Sequence, residues 1–97
     1  MNIKQKSMSK YQIRVSNSYK NQRKKIKKDD LALIDEAVTK LANGEKLEPK
    51  YKDHKLKGKY KDFKECHIKP DLLLVYRIID DVLELYLAQV GSHSELF

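Results

Sequence analysis

The chain has 97 residues, the length of one small domain. Its 21 lysines and arginines outnumber its 14 aspartates and glutamates, and the net charge of +7 favours an anionic partner such as nucleic acid. No apolar run approaches the roughly 20 residues of a membrane-spanning helix, and residues 1–10 lack the apolar core of a signal peptide. The single cysteine, Cys66, excludes an internal disulfide and a cysteine-based zinc cluster. We therefore expect a cytoplasmic protein that has no membrane partner and no cofactor.

The N-terminal part of the chain predicts an extension, a strand and a helix. Residues 1–9 are polar and aperiodic, which indicates a flexible extension ahead of a single domain over residues 10–97. Residues 11–15 alternate apolar and polar side chains, as a short strand does. Ser16 or Ser18 can then cap a basic helix. The apolar face of this helix is thin and contains Val15, Tyr19 and Ile26.

A second helix is predicted after Asp29 and Asp30, whose carboxylates favour a helix N-terminus. Glycine accepts the left-handed conformation past a helix end, so Asn43 and Gly44 predict its end. The apolar side chains recur every three or four residues, as on one face of a helix: Leu31, Ile34, Val38 and Leu41. Because few residues separate the two helices, we expect an antiparallel helical hairpin.

The C-terminal half predicts a long loop followed by a meander of strands. Residues 45–59 are charged and contain Pro49 and Gly58, which indicates a loop. Three strand-like runs follow: 60–68, 72–79 and 82–90. The predicted fold class is therefore α+β, with an N-terminal strand and a helical hairpin packed on a small antiparallel sheet. The side chains expected to meet the helices are Leu73, Val75, Leu83, Leu85 and Leu87.

All three histidines, His54, His67 and His93, lie in this half among lysines. Histidine titrates nearest neutral pH and lysines bind phosphate, so the combination favours RNA cleavage. Without a metal, the ribose 2′-hydroxyl attacks the adjacent phosphorus, a base removes the hydroxyl proton, and an acid protonates the leaving 5′-oxygen. Positive charge must stabilise the phosphate as its negative charge grows. The candidate residues for this role are Lys55, Lys57, Lys59, Lys64 and Arg77.

Strand alternation separates the side chains around His67. Phe63, Glu65 and His67 share one face of their strand, whereas Cys66 lies on the other. A Cys–His nucleophile pair is therefore disfavoured. Asp71 follows the next turn, so it can approach His67 and orient an imidazole.

Each histidine also has a structural interpretation, because a lone histidine in a small protein is more often structural than catalytic. The spacings of 13 and 26 residues fit no local metal motif, and the neighbouring lysines disfavour a dication, so we expect no metal site. Other functions remain open at this point. They are a gyrase poison, a basic nucleic-acid-binding protein without chemistry, and an inactive protein retained as a co-repressor.

Three stretches of the C-terminal half together carry a family resemblance. They are 51–58 (YKDHKLKG), 66–76 (CHIKPDLLLVY) and 91–97 (GSHSELF). In this order the chain resembles the YafQ branch of the RelE-like bacterial toxins. The resemblance covers about half of the chain closely, and the helical half only in its general layout.

The resemblance implies a RelE-like fold and the function of a type II toxin–antitoxin toxin. Such a toxin enters the A site of the 70S ribosome and cleaves translated mRNA without a metal. The family's functional histidines correspond to His54, His67 and His93, its aspartate to Asp71 and its terminal aromatic residue to Phe97. The residue matching His93 is the usual candidate for protonating the leaving group. The implied partner is a small DinJ- or RelB-like antitoxin dimer of the ribbon-helix-helix type, which also connects the toxin to operator DNA.

The chain departs from the family pattern at two positions. Leu72 follows the aspartate where relatives can carry tryptophan, and leucine can neither stack as tryptophan does nor donate a hydrogen bond. Gln89 stands four residues before His93, where several relatives have arginine, so a phosphate contact is lost or moves to Arg77. Neither departure removes an acid–base group, so we expect activity with an altered codon preference.

Overall fold

The computed structural model describes residues 9–97, so the extension predicted over residues 1–9 lies, apart from Ser9, outside the described residues. The chain combines a five-stranded sheet, ordered β1-β5-β4-β3-β2, with three helices, which confirms the predicted α+β class. The strands are β1 (Gln12–Val15), β2 (His54–Lys55), β3 (Lys64–Lys69), β4 (Leu72–Ile79) and β5 (Glu84–Gly91). The helices are α1 (Asn17–Arg23), α2 (Lys28–Ala42) and α3 (His93–Leu96).

The N-terminal strand adds a parallel pair to an otherwise antiparallel sheet. β3, β4 and β5 form the predicted antiparallel meander, whereas β1 pairs with β5 in parallel, a direction that the sequence pattern did not specify. Parallel neighbours need a long crossover connection. Here the crossover runs through the helices and the other strands.

The two longer helices follow their sequence signals with small differences. The Ser16 hydroxyl accepts a hydrogen bond from the Tyr19 amide at 2.9 Å, which confirms Ser16 as the cap of α1. Val15 belongs to β1 and α1 ends at Arg23, so the helix is shorter than predicted. The helix α2 ends before Gly44, which has a φ of 80°. An ion pair of 2.7 Å between Arg23 and Asp35 connects α1 with α2.

The helices α1 and α2 pack on one face of the sheet. The opposite face, called the open face below, carries a smaller apolar cluster. The residues on the helix side of β4 are Leu72, Leu74 and Tyr76. Leu73 and Val75 lie on the open face with Leu96, so their predicted contact with the helices was wrong. Leu83 is 51% exposed with a φ of 50°, because it follows the tight turn at Asp80–Val82. Leu85 and Leu87 do lie in the core.

The predicted loop 45–59 contains more order than expected. It has a short 3₁₀ turn at Pro49–Tyr51, and His54–Lys55 forms an edge strand against β3. The next strand begins at Lys64, later than predicted, because Gly58–Tyr60 forms another 3₁₀ turn. Within residues 9–97, no helix has both the length and the apolar character needed to span a bilayer.

Candidate active site on the open face of the sheet

The sheet register brings two histidines and a glutamate together on the open face. His54 is directly opposite Glu65, and Glu65 is opposite Val75. Directly opposed residues project to the same face of a sheet. His67 lies two residues after Glu65 on β3, and therefore also projects to the open face.

Glu65 lies at the centre of this cluster. It is 6% exposed, the only charged residue among the buried ones in residues 9–97. Its Oε1 lies 3.4 Å from Nε2 of His54 and 4.0 Å from Nε2 of His67. The two ring centroids are 6.3 Å apart. Burying a carboxylate is costly unless it is paired, so both imidazoles are held next to a carboxylate that can accept their protons or orient their rings.

Glu65 was not among the predicted site residues. Its shared face with His67 follows from strand alternation, so a signal was present. The two-residue strand that brings His54 opposite Glu65 has no periodicity to detect. Strand alternation therefore predicted the shared face of Glu65 and His67, but neither histidine contact of Glu65 was predicted.

Two backbone features hold the His54 ring. Nδ1 of His54 lies 2.7 Å from the carbonyl oxygen of Lys52, which only accepts hydrogen bonds, so Nδ1 carries a proton. Lys52 adopts a left-handed φ of 47°, which turns this carbonyl towards the ring. Nε2 of His54 is therefore the nitrogen that faces Glu65.

The segment that carries His54 is anchored to the sheet through Asp53. Its carboxylate accepts hydrogen bonds from the Tyr76 hydroxyl at 2.5 Å and from Nζ of Lys64 at 2.7 Å. Burial, reinforced by the bond to Asp53, raises the pKa of Tyr76, so this hydroxyl stays protonated. Lys64, a predicted substrate-binding residue, is paired with Asp53 on the face opposite His67.

The helix α3 returns to the open face and places His93 beside it. Leu96 packs against Leu73 and Val75. A Cβ at Gly91 would lie 2.9 Å from Oε1 of Glu95, so the absence of a side chain there allows this close approach. Since His67, Leu73 and Gly91 are opposed in register, Gly91 is about 10 Å from His67 across two strand spacings.

The turn into α3 is stabilised by a capping box. The Glu95 carboxylate accepts a hydrogen bond of 2.7 Å from the Ser92 amide, and the Ser92 side chain caps the N3 backbone. This backbone hydrogen bond lowers the pKa of Glu95. The cap fixes the direction in which His93 leaves the sheet.

Asp71 contacts His93 instead of its expected partner. Oδ1 of Asp71 accepts a long hydrogen bond, 3.5 Å, from the backbone amide of His93. The carboxylate next to His67 is that of Glu65, so the predicted His67–Asp71 pair was wrong. The register shift between His67 and Lys69 alters the hairpin geometry from which that pair was predicted.

The terminal aromatic residue joins His93 to the segment after β2. The Phe97 ring centroid lies 5.5 Å from that of His93 and 5.9 Å from that of Tyr60, edge-on to Tyr60. Nζ of Lys59 lies 5.4 Å from the Tyr60 centroid. Phe97 is 51% exposed, so its ring is accessible beside His93.

The other predicted cations occupy different parts of the surface. Lys55 and Lys57 are exposed along the β2 edge, and Lys55 lies opposite Lys64, away from the face of His54. The guanidinium of Arg77 lies on the open face, 6.0 Å from the Phe63 centroid. The structure thus places Arg77 on the open face and Lys59 beside the Tyr60–Phe97 pair. Lys57 lies two residues before Lys59 in the chain.

Neither a metal centre nor a thiol nucleophile accompanies this cluster. Among residues 9–97, no group of three His, Cys, Asp or Glu side chains, the His54–Glu65–His67 cluster included, has an arrangement that could hold a metal ion. Cys66 is fully buried on the helix side of the sheet, and burial raises the pKa of its thiol to about 12. The side chains of the cluster that can exchange protons are imidazoles and carboxylates.

Comparison with known proteins assigns the family. Residues 11–97 match the family described as "Bacterial toxin of type II toxin-antitoxin system, YafQ". The chain is 38% identical over 47 residues to the mRNA interferase toxin YafQ of Escherichia coli (strain K12). That match covers 48% of this chain and 49% of the relative. The matched part of the chain therefore spans about half the length of this curated relative.

Two crystal structures resemble the whole fold. A metal-bound toxin from Helicobacter pylori has a TM-score of 0.78 and 44% identity, covering 90% of this chain and 99% of that one. The E. coli DinJ–YafQ toxin–antitoxin complex has a TM-score of 0.81 and 31% identity, covering 91% of this chain and 98% of that one. The family match over residues 11–97, together with the RelE-like fold, makes this chain a member of the YafQ family of type II toxin–antitoxin toxins.

Proposed function

We propose that this toxin is an mRNA interferase, an endoribonuclease that cleaves mRNA on the ribosome and thereby stops translation. The observation that carries the proposal is the open-face cluster, in which buried Glu65 faces both His54 and His67. The E. coli relative named mRNA interferase toxin YafQ supports it. A basic chain of charge +7 also suits an RNA substrate.

The proposed reaction is an acid–base transfer without a metal. The 2′-oxygen bonds to phosphorus as the bond to the 5′-oxygen breaks, leaving a 2′,3′-cyclic phosphate and a 5′-hydroxyl. One imidazole of the pair His54 and His67 accepts the 2′-hydroxyl proton, and His93 donates a proton to the 5′-oxygen. Glu65 orients the pair and stabilises the imidazolium that forms, and Asp71 holds the backbone at His93.

Substrate contacts are proposed around this centre. Phe97 stacks on a base next to the scissile phosphate, since its exposed ring adjoins His93. Lys59, next to the Phe97–Tyr60 pair, and Lys57 contribute positive charge towards the phosphate. Lys55 contacts the strand from the β2 edge. These side chains bind RNA in any sequence, so the ribosome has to present the codon.

The partners follow from the same function. The A site of the 70S ribosome positions the mRNA, which implies a cytoplasmic location. A small DinJ- or RelB-like antitoxin, a ribbon-helix-helix dimer, neutralises the toxin, as the DinJ–YafQ complex of E. coli suggests. Operator DNA is contacted through the antitoxin.

A gyrase poison or a non-catalytic co-repressor remains the alternative function. Neither needs a carboxylate held between two imidazoles, and no described contact favours either. The alternatives also differ in their consequences, because gyrase poisoning damages DNA and leaves mRNA intact.

Expression of the chain in bacteria distinguishes these functions. We expect growth arrest with loss of intact mRNA and no DNA-damage response, and co-expression of the neighbouring antitoxin should restore growth. His67→Ala and His93→Ala should each relieve the arrest. Arrest that persists in both variants, or that is accompanied by DNA damage, would contradict the proposal.

A further inference from the structure

A row of alternating arginine and aromatic side chains crosses the open face next to the histidine cluster. Arg14 on β1 is opposite Tyr86 on β5, and Tyr86 is opposite Arg77 on β4. Phe63, just before β3, contacts both neighbours: its ring centroid is 6.5 Å from that of Tyr86 and 6.0 Å from the guanidinium of Arg77. These four side chains, in the order Arg14, Tyr86, Arg77 and Phe63 across the sheet, are called the arginine–aromatic row.

The outer end of the row is oriented and accessible. The Arg14 guanidinium lies 4.6 Å from the Tyr86 centroid, a cation–π distance. Nε of Arg14 donates to Oε1 of Glu84 at 2.9 Å, and the contact recorded with Glu84 does not involve the Nη groups. The Arg14 side chain is 58% exposed. Its guanidinium thus lies over the Tyr86 ring on a side chain that is largely accessible to solvent.

We propose that the arginine–aromatic row is a subsite for single-stranded RNA. Guanidinium planes and aromatic rings both stack on unpaired bases, and guanidinium N–H groups bind phosphate oxygens in pairs. An acidic peptide would engage the two cations but would gain nothing from the two aromatic rings beside them. The alternation of both groups therefore favours RNA over an acidic protein.

The row is continuous with the candidate active site. Arg77 lies two residues after Val75 on β4, and Phe63 lies two residues before Glu65. Two residues span about 7 Å along a strand. An RNA chain whose scissile phosphate contacts the histidines can therefore extend across the row. This inference rests on the proposed function. It adds the place on the protein where the RNA is bound at a distance from the scissile bond.

The test measures RNA binding without cleavage. In the His93→Ala chain, which is expected not to cut, the affinity for a fluorescent single-stranded RNA is followed by anisotropy at several salt concentrations. Arg14→Gln with Arg77→Gln should weaken binding and reduce the steepness of its salt dependence by the loss of about two phosphate contacts. Tyr86→Leu should weaken binding roughly five- to hundred-fold, as the loss of one stacking base does.

Controls separate the row from general positive charge. Lys24→Gln removes a charge from an exposed position at the end of α1. It should change the RNA affinity less than Arg14→Gln alone or Arg77→Gln alone. Arg14→Lys, which preserves charge and fold but not the planar stack, should lose part of the affinity. Circular dichroism confirms that each variant is folded.

Three results would overturn the proposal. The first is that the chain with the row intact does not bind RNA. The second is that the row variants bind RNA no more weakly than Lys24→Gln does. The third is that a polyglutamate peptide binds as tightly as RNA, with an affinity that Tyr86→Leu does not change. The proposed nuclease is judged separately from cleavage by the wild-type chain. RNA binding through the row without mRNA cleavage would retain the subsite and reject the nuclease.

Discussion

Oε1 of Glu65 lies 3.4 Å from Nε2 of His54, and this contact joins an edge strand of two residues to the centre of the candidate active site. The same oxygen is 4.0 Å from Nε2 of His67. One buried carboxylate thus organises both imidazoles, while the third histidine approaches from α3. The first prediction concerns this carboxylate.

Glu65→Gln should lower the rate of mRNA cleavage while preserving the fold. The amide has the size of the carboxylate but lacks its charge, so it cannot stabilise an imidazolium. Because Glu65 acts through the histidines, the loss should be smaller than the roughly 10² to 10⁴-fold loss of a directly acting acid or base. Cleavage kinetics on programmed ribosomes measure it. Glu45→Gln, at an exposed position, is the control. Equal cleavage rates for the two variants would contradict a catalytic contribution of Glu65.

Asp53→Ala should destabilise the protein, because it leaves the hydroxyl of fully buried Tyr76 without its acceptor. Such a group costs about 1–3 kcal/mol. Denaturant unfolding measures the change in free energy. Asp62→Ala, at an exposed position, should change it by less than about 0.5 kcal/mol. Similar losses in both variants would contradict the anchoring role of Asp53.

The Glu95 cap should give a pH-dependent contribution to stability. The Ser92 amide lowers the pKa of Glu95 in the folded chain below its usual 4.5. The unfolded chain therefore binds more protons near that pH, so the contribution is complete above 4.5 and is lost as the pH falls through the lower folded pKa. The melting temperature of Glu95→Gln should thus differ from wild type most near neutral pH. A difference that persists unchanged in acid would contradict the cap.

Cys66 should be unreactive in the folded protein. Its thiol is fully buried, and burial raises its pKa to about 12, whereas the thiolate is the reactive form. A thiol reagent at pH 8 should label it only slowly until denaturant is added. Rapid labelling of the native chain would show that the helix-side core opens readily.

The sequence predicted the limits of the helices better than it predicted which side chains lie on each face of the sheet. The helix α2 has a clear apolar period with acidic residues at its start and glycine at its end, and its limits were close to those observed. The run from Leu72 to Val75 is entirely apolar, so alternation could not show which side chains meet the helices. Both faces of β4 are buried there, because Leu96 of α3 covers the second face.

The histidines were predicted, but their neighbours were only partly predicted. Three motifs identified His54, His67 and His93, whereas the contact between His54 and Glu65 depends on a strand too short for any pattern. The expected partner, Asp71, followed from closeness along a hairpin and ignored the register shift at its end. The positions of Asp53 and Glu65 needed long-range geometry.

Mapping of mRNA ends with purified ribosomes tests the central claim most directly. A translated mRNA is incubated with the wild-type chain or with His93→Ala, each with and without ribosomes, and new 5′ ends are located by primer extension. We predict cuts within the reading frame for wild type with ribosomes, and a large loss of cutting for His93→Ala. Undiminished cutting by His93→Ala, or no cutting by wild type on ribosomes, would contradict the account.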